Sequence, residues 1–209
     1  MYTHSKQIIT AGVPVSQAKK ALIMIHGRGV SANSILSLAD NLSLPEGTTI
    51  MAPQATQYSW YPYSFMAPVE NNEPALSSAL SLIDEIVNDL TKQGIDRKNI
   101  YFLGFSQGAC LTLEYVARNG QQYGGVIAFT GGLIGQELKL SNYSGDFAQT
   151  PILIATGDPD PHVPVSRVEE TVAQLTKMNA DVLFKVYKGR PHTITQEELD
   201  LAEQHVLKQ

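Results

Sequence analysis

Six short runs, "ALIMI" (21–25), "TTIMA" (48–52), "IYFLG" (100–104), "GVIAFT" (125–130), "PILIATG" (151–157) and "VLFKVYK" (182–188), constrain this chain most. Most of them are apolar at consecutive positions rather than at alternate ones. A strand with that pattern is buried on both faces, and this happens when helices cover a parallel sheet from either side. Between the runs lie longer segments of helical periodicity, at 33–41, 74–93, 108–119, 166–179 and 196–208. Pro74 suits a first helical turn and Gly94 a stop. The alternation predicts an α/β fold: a doubly wound, mostly parallel sheet with right-handed crossovers and helices on both faces. With no repeat, low-complexity stretch or linker in view, residues 1–209 are expected to form a single domain. A chain that is 43% hydrophobic has the material for the core this requires.

Two connections, 53–73 and 131–150, exceed what a crossover needs, and such loops are usually functional or disordered. The first carries Tyr58, Trp60, Tyr61, Tyr63 and Phe65, more aromatics than a disordered loop holds. It reads either as a flap folded onto the core or as a wall of a substrate pocket, and the two are compatible.

The stretch "NIYFLGFSQGACLTLEYVA" (99–117) places Ser106 between Gly104 and Gly108, on the turn joining a strand to a helix. That context is the one a nucleophile elbow requires. The serine takes a strained backbone conformation, and the flanking glycines permit a close approach of main chain. The N–H of Gln107 is left at a helix N-terminus, where it stabilises a developing oxyanion. A serine hydroxyl needs a base, and in this architecture the order is nucleophile, acid, histidine. Of the histidines after Ser106, His205 lies in the terminal helix and His162 comes too early. His192, between the last strand and the last helix, is the expected base. "ILIATGDPDPHVP" offers two acids on one loop, Asp158 and Asp160, which spacing does not separate.

A second oxyanion donor is expected after the first core strand, in "HGRGVSANS", where the backbone N–H of Arg28 sits between Gly27 and Gly29. Its side chain faces either substrate or solvent. His26 reads as an internal hydrogen-bonding residue holding this loop rather than a second base, and Cys110 as core packing rather than chemistry.

Charge and cysteine content narrow the class. A net charge of -5 with no basic run beyond Lys19-Lys20 argues against nucleic-acid or anionic-membrane partners. No run approaches a bilayer span, and the first residues have no apolar signal-like region. The lone cysteine suits a cytoplasmic setting. No metal or cofactor is expected, because the histidines and acids lack zinc-type spacing.

Taken in order, "HGRG" (26–29), "PQA" (53–55), "SWYPYSF" (59–65), "GFSQGA" (104–109), "GDPDPHVP" (157–164) and "GRPH" (189–192) give the chain a further identity. It resembles, along nearly its whole length, the phospholipase/carboxylesterase family of α/β-hydrolases, which also contains the acyl-protein thioesterases. The block from Trp60 to Pro74 is similar to a bacterial esterase branch. The resemblance implies an α/β-hydrolase fold without a large cap domain. It also implies that the acid is Asp160, in a D-P-x-[VIL]-P pattern. The implied set is Ser106, Asp160 and His192, with oxyanion donors from the backbones of Arg28 and Gln107. One departure is Val30, which stands where the thioesterases usually have aspartate and weakens the implication of protein depalmitoylation.

The expected activity is a serine carboxylesterase acting on small to medium acyl esters through an acyl-enzyme. Trp60, Tyr61, Phe65 and Leu133 are the candidate substrate-contacting side chains. The alternative within enzymes is a long-chain acyl thioesterase or lysophospholipase, if the aromatic segment and "TGGLIG" (130–135) build an open channel. The alternative outside them is a non-catalytic binding module on a hydrolase scaffold, although all three candidate residues stand in order. The aromatic loop serves a dimer contact as well as it serves a substrate wall, so monomer and homodimer both fit.

Overall fold

The computed structural model describes residues 2–208. Seven strands form its sheet: β1 (Ile8–Gly12), β2 (Lys20–Ile25), β3 (Thr48–Pro53), β4 (Ile100–Phe105), β5 (Gly125–Phe129), β6 (Pro151–Asp158) and β7 (Asp181–Lys188). The helices are α1 (Ala32–Leu36), α2 (Ala75–Lys92), α3 (Gln107–Arg118), α4 (Val165–Lys177) and α5 (Gln196–His205). The strand order is β1-β3-β2-β4-β5-β6-β7, with every pair parallel except β1 with β3.

The consecutive apolar residues of the strands divide between two cores. Along β2, Ile23 and Ile25 enter one core while Leu22 and Met24 enter the other, and Phe102 and Leu103 of β4 split in the same way. This is the two-residue period of a pleated strand with both faces covered. The first core is closed by α2, α3 and α4, through residues such as Leu76, Ile83, Leu113 and Val168. The second is closed by α1 and α5, through Ala32, Ile35, Leu199 and Ala202.

Two features differ from the sequence expectation. Strand β1 was absent from it, because an antiparallel edge strand buries little: Ile8, Ile9 and Ala11 are only partly covered and no apolar run marks it. The helix expected over 33–41 is a single α-helical turn, α1, begun by a Ser31–Ser34 capping box and continued as a 3-10 turn over Ser37–Asn41. At the other stop, Gly94 takes φ +92°, the left-handed conformation that ends α2. No helix among the described residues is long and apolar enough to cross a membrane.

Candidate active site

Three strands deliver the candidate residues to one edge of the sheet: β4 leads directly to Ser106, β6 to the Asp160 loop and β7 to the His192 loop. Ser106 has φ 55° and ψ -119°, a conformation that costs a non-glycine residue energy and is held by its surroundings. Its N–H donates to the Phe129 carbonyl at 2.9 Å and its carbonyl accepts from Cys110 N–H at 3.0 Å. The glycines are a packing requirement. A Cβ on Gly104 would lie 2.5 Å from the Gly108 carbonyl oxygen, and one on Gly108 would lie 2.1 Å from that of Ile25.

Ser106 Oγ lies 2.8 Å from His192 Nε2, and His192 Nδ1 lies 2.7 Å from Asp160 Oδ2. This sets the tautomer: Nδ1–H donates to the carboxylate, which leaves the Nε2 lone pair to accept the serine hydroxyl. The second Asp160 oxygen accepts the N–H groups of His162 and Val163, each at 2.9 Å. Burial works against ionising this carboxyl. The hydrogen bond from His192 and the two backbone N–H bonds outweigh it and hold the group below its ordinary value. The Asp160 side chain is sealed from solvent, while His192 keeps 21% of its side chain exposed. Asp158 makes no such contact. It is exposed at the end of β6, and its carbonyl takes the Gly189 N–H at 2.7 Å.

Arg28 and Gln107 both line the cavity beside Ser106, and neither backbone N–H has an acceptor among the described residues. Their side chains have a role the sequence did not reveal. Gln107 Oε1 accepts the Trp60 N–H at 2.9 Å and Nε2 donates to the Tyr61 carbonyl at 2.8 Å. The Arg28 guanidinium donates to the carbonyls of Pro62 and Tyr63 at 2.7 and 2.6 Å. It thus faces the aromatic loop, and four main-chain bonds tie that loop to the two candidate oxyanion residues.

His26 is fully buried. Its Nδ1 pairs with the Gly27 carbonyl at 2.7 Å and its Nε2 accepts the Ala55 N–H at 3.0 Å, so it braces the loop as a neutral ring, with burial lowering its pKa. Cys110 is buried as well, and burial pushes its thiol up to about 12.

The cavity above Ser106 has a volume of about 560 Å³. Tyr61, Phe65, Phe105, Cys110, Pro161 and Val163 are among the residues of its wall. Of the four expected substrate-contacting residues, Tyr61 and Phe65 line it; Trp60 and Leu133 do not. Trp60 is drawn inward, where its indole N–H donates to the His26 carbonyl at 2.8 Å and its ring packs between His4 and His26. Leu133 is turned into the core, its backbone N–H held by Thr171 Oγ1 at 2.9 Å and its carbonyl by Arg167 at 3.2 Å. Phe105 and Val163 were missed. Each adjoins a motif residue, and that adjacency was the available signal.

The strand order, the elbow after β4 and the loops after β6 and β7 define a hydrolase of the α/β-hydrolase fold. A family model described as phospholipase/carboxylesterase matches residues 6–209, and the chain belongs to that family. It is an ester- or thioester-cleaving serine hydrolase. A crystal structure of a phospholipase/carboxylesterase from Dyadobacter fermentans is 63% identical with a TM-score of 0.98, covering 100% of this chain and 99% of that one. Acyl-protein thioesterase 1 of Kluyveromyces lactis is 26% identical over 205 residues, 87% of this chain and 88% of that protein. A probable carboxylesterase SOBER1-like of Arabidopsis thaliana is 30% identical over 132 residues, 63% of this chain and 50% of that protein.

Proposed function

We propose that the chain is a carboxylesterase for small to medium acyl esters, with Ser106 as nucleophile, His192 as general base and Asp160 as its orienting acid. The observation that carries this reading is the unbroken hydrogen-bond path from Ser106 Oγ through His192 to Asp160, opening on an aromatic-walled cavity. His192 Nε2 takes the hydroxyl proton as Oγ attacks the acyl carbon. The N–H groups of Arg28 and Gln107 receive the oxyanion, and protonated His192 then gives its proton to the leaving alkoxide. Water enters by the same route in reverse and frees Ser106. Asp160 stays ionised and stabilises the imidazolium, in keeping with its lowered pKa.

The size preference rests on the wall. Tyr61 and Phe65 are at most 6% exposed; the Tyr61 carbonyl is held by Gln107 and that of Phe65 by the Gly135 N–H at 2.7 Å, so the acyl side is bounded by fixed side chains. Val30, exposed at the cavity rim in place of the aspartate usual in thioesterases, supports esters over protein thioesters. The buried single cysteine suits a cytoplasmic setting.

The test is kcat/KM for p-nitrophenyl esters from acetate to palmitate, with Ser106→Ala as blank. A maximum at short chains and loss of activity by several orders of magnitude in the blank are expected. A maximum at long chains would move the assignment to lipid or thioester substrates. An active Ser106→Ala protein would end the triad assignment.

A further inference from the structure

Close to His192 in sequence, and outside the cavity wall, three costly features meet. The first is Arg190, two residues before His192 and with only 5% of its side chain exposed. Its NH2 donates to Thr130 Oγ1 at 3.0 Å, its NH1 donates to the Thr193 carbonyl, and NH1 lies 3.4 Å from Glu198 Oε2. The second is Glu198, fully buried at the start of α5, whose Oε2 also accepts the N–H and hydroxyl of Thr195 at 2.8 and 2.9 Å. The third is Thr130, buried just past the end of β5 with φ 59°, an outlying conformation for a β-branched residue.

Glu198 also closes a capping box with Thr195, which stabilises α5, but that role requires neither the buried arginine nor the strained threonine. A buried ion pair is weak support for stability, and a strained residue subtracts from it. The pair is also incompletely satisfied, since Arg190 Nε and Glu198 Oε1 are buried without partners. What the three share is their placement. Thr130 follows Phe129, whose carbonyl receives the Ser106 N–H. Arg190 therefore spans from the strand end that seats the nucleophile to the loop and helix start that carry the base. Its guanidinium also lies over the Tyr187 ring at 5.6 Å, at the end of β7. Arg190 is absent from the cavity wall.

Building on the triad reading of the proposed function, we propose that Arg190 is a positioning residue, a strut between Thr130 and Glu198 that sets the His192 ring against Ser106. Arginine suits the task because its planar fork offers several donors in fixed directions, so acceptors on different elements are held at one spacing; a lysine ammonium is a point charge on a flexible stem.

The test compares Arg190→Lys, Thr130→Val and Thr130→Ser with wild type. Active sites are first counted by fluorophosphonate labelling, and kcat, KM and Tm are then measured on one short-chain p-nitrophenyl ester. Thr130→Val keeps the β-branch and removes the acceptor; Thr130→Ser keeps the acceptor. For Arg190→Lys and Thr130→Val, kcat per titrated site falls on the order of ten- to a hundredfold with KM within about twofold, because small misplacements of reacting groups carry that cost. Thr130→Ser stays within about threefold of wild type, and the Lys/Val double variant loses little more than either single one, as for two ends of one device. A fall in Tm with kcat per site unchanged would make the pair structural only and overturn the proposal, as would a change confined to KM. Should Arg190→Lys fail to fold, the two Thr130 variants decide. Failure of the triad reading shows separately, as wild type unlabelled at Ser106.

Discussion

Replacing Gln107 with alanine separates two roles that meet in one residue. Its backbone N–H stays, but the side chain that holds the aromatic loop is gone. The Trp60 N–H then loses its acceptor at 2.9 Å, while the Tyr61 carbonyl loses the amide at 2.8 Å but keeps the Ser59 hydroxyl, also at 2.8 Å. Trp60 and Tyr61 are at most 1% exposed, so water does not substitute. Each buried orphan costs about 1–3 kcal/mol. The Arg28 bonds to Pro62 and Tyr63 and the Tyr2 bond to the Ser59 carbonyl remain, limiting collapse of the loop. The lower part of the range therefore applies to the one orphaned group, the Trp60 N–H, about 1–2 kcal/mol. At about 2–4 °C per kcal/mol for a chain of this length, Tm drops by roughly 2–8 °C. The assay is thermal unfolding followed by the emission of Trp60, the single tryptophan, which lies in the affected loop. Activity on the acetate ester is measured alongside, and kcat is expected to stay within about threefold because the proposed oxyanion donor is main chain. A Tm loss under about 2 °C with unchanged emission would refute the claim that Gln107 holds the wall. Collapse of acetate turnover in a folded protein would refute the separation of roles.

Two further outcomes are expected. Phe65→Ala, which removes a cavity-lining ring only 6% exposed, lowers stability by about 3–5 kcal/mol and moves the kcat/KM optimum to longer acyl chains; an unmoved optimum would place the acyl group elsewhere. Tm also depends on pH through His4 and His26, whose pKa values burial lowers from 6.5. Below that value the unfolded chain binds protons that the folded state refuses, so stability is complete above about pH 6.5 and falls as pH drops toward the folded values. A Tm flat from pH 7.5 to 5 would contradict the neutral buried rings.

The parts of the site legible in the sequence are those that local packing dictates. Gly104 and Gly108 flank Ser106 because a methyl at either position meets main chain, and such a constraint shows in residue type. Order along the chain points to His192 as the candidate base. The residues themselves did not separate Asp158 from Asp160, because the choice depends on how the loop turns. Asp160 accepts the N–H groups two and three residues ahead, and this aims its other oxygen at His192. Trp60 and Leu133 were misplaced for a similar reason, since apolar character predicts burial but not whether the side chain faces core or cavity. The Thr130–Arg190–Glu198 cluster left no trace in the sequence, because Thr130 and Arg190 lie 60 residues apart and no spacing links them.

The aromatic wall and the proposed general base come from segments far apart in the sequence. The wall is pinned by residues 2 and 4: the Tyr2 hydroxyl donates to the Ser59 carbonyl, while His4 bonds the Trp60 carbonyl and the Thr56 N–H. His192 arrives only with the last strand-to-helix loop. During vectorial synthesis, residues 2–65 emerge before Ser106 and its neighbour Gln107, which completes the bonds to the wall. On the proposed triad, Ser106 then stays without its base until the loop between β7 and α5 has left the ribosome. A nascent chain at that stage would carry its proposed nucleophile unarmed.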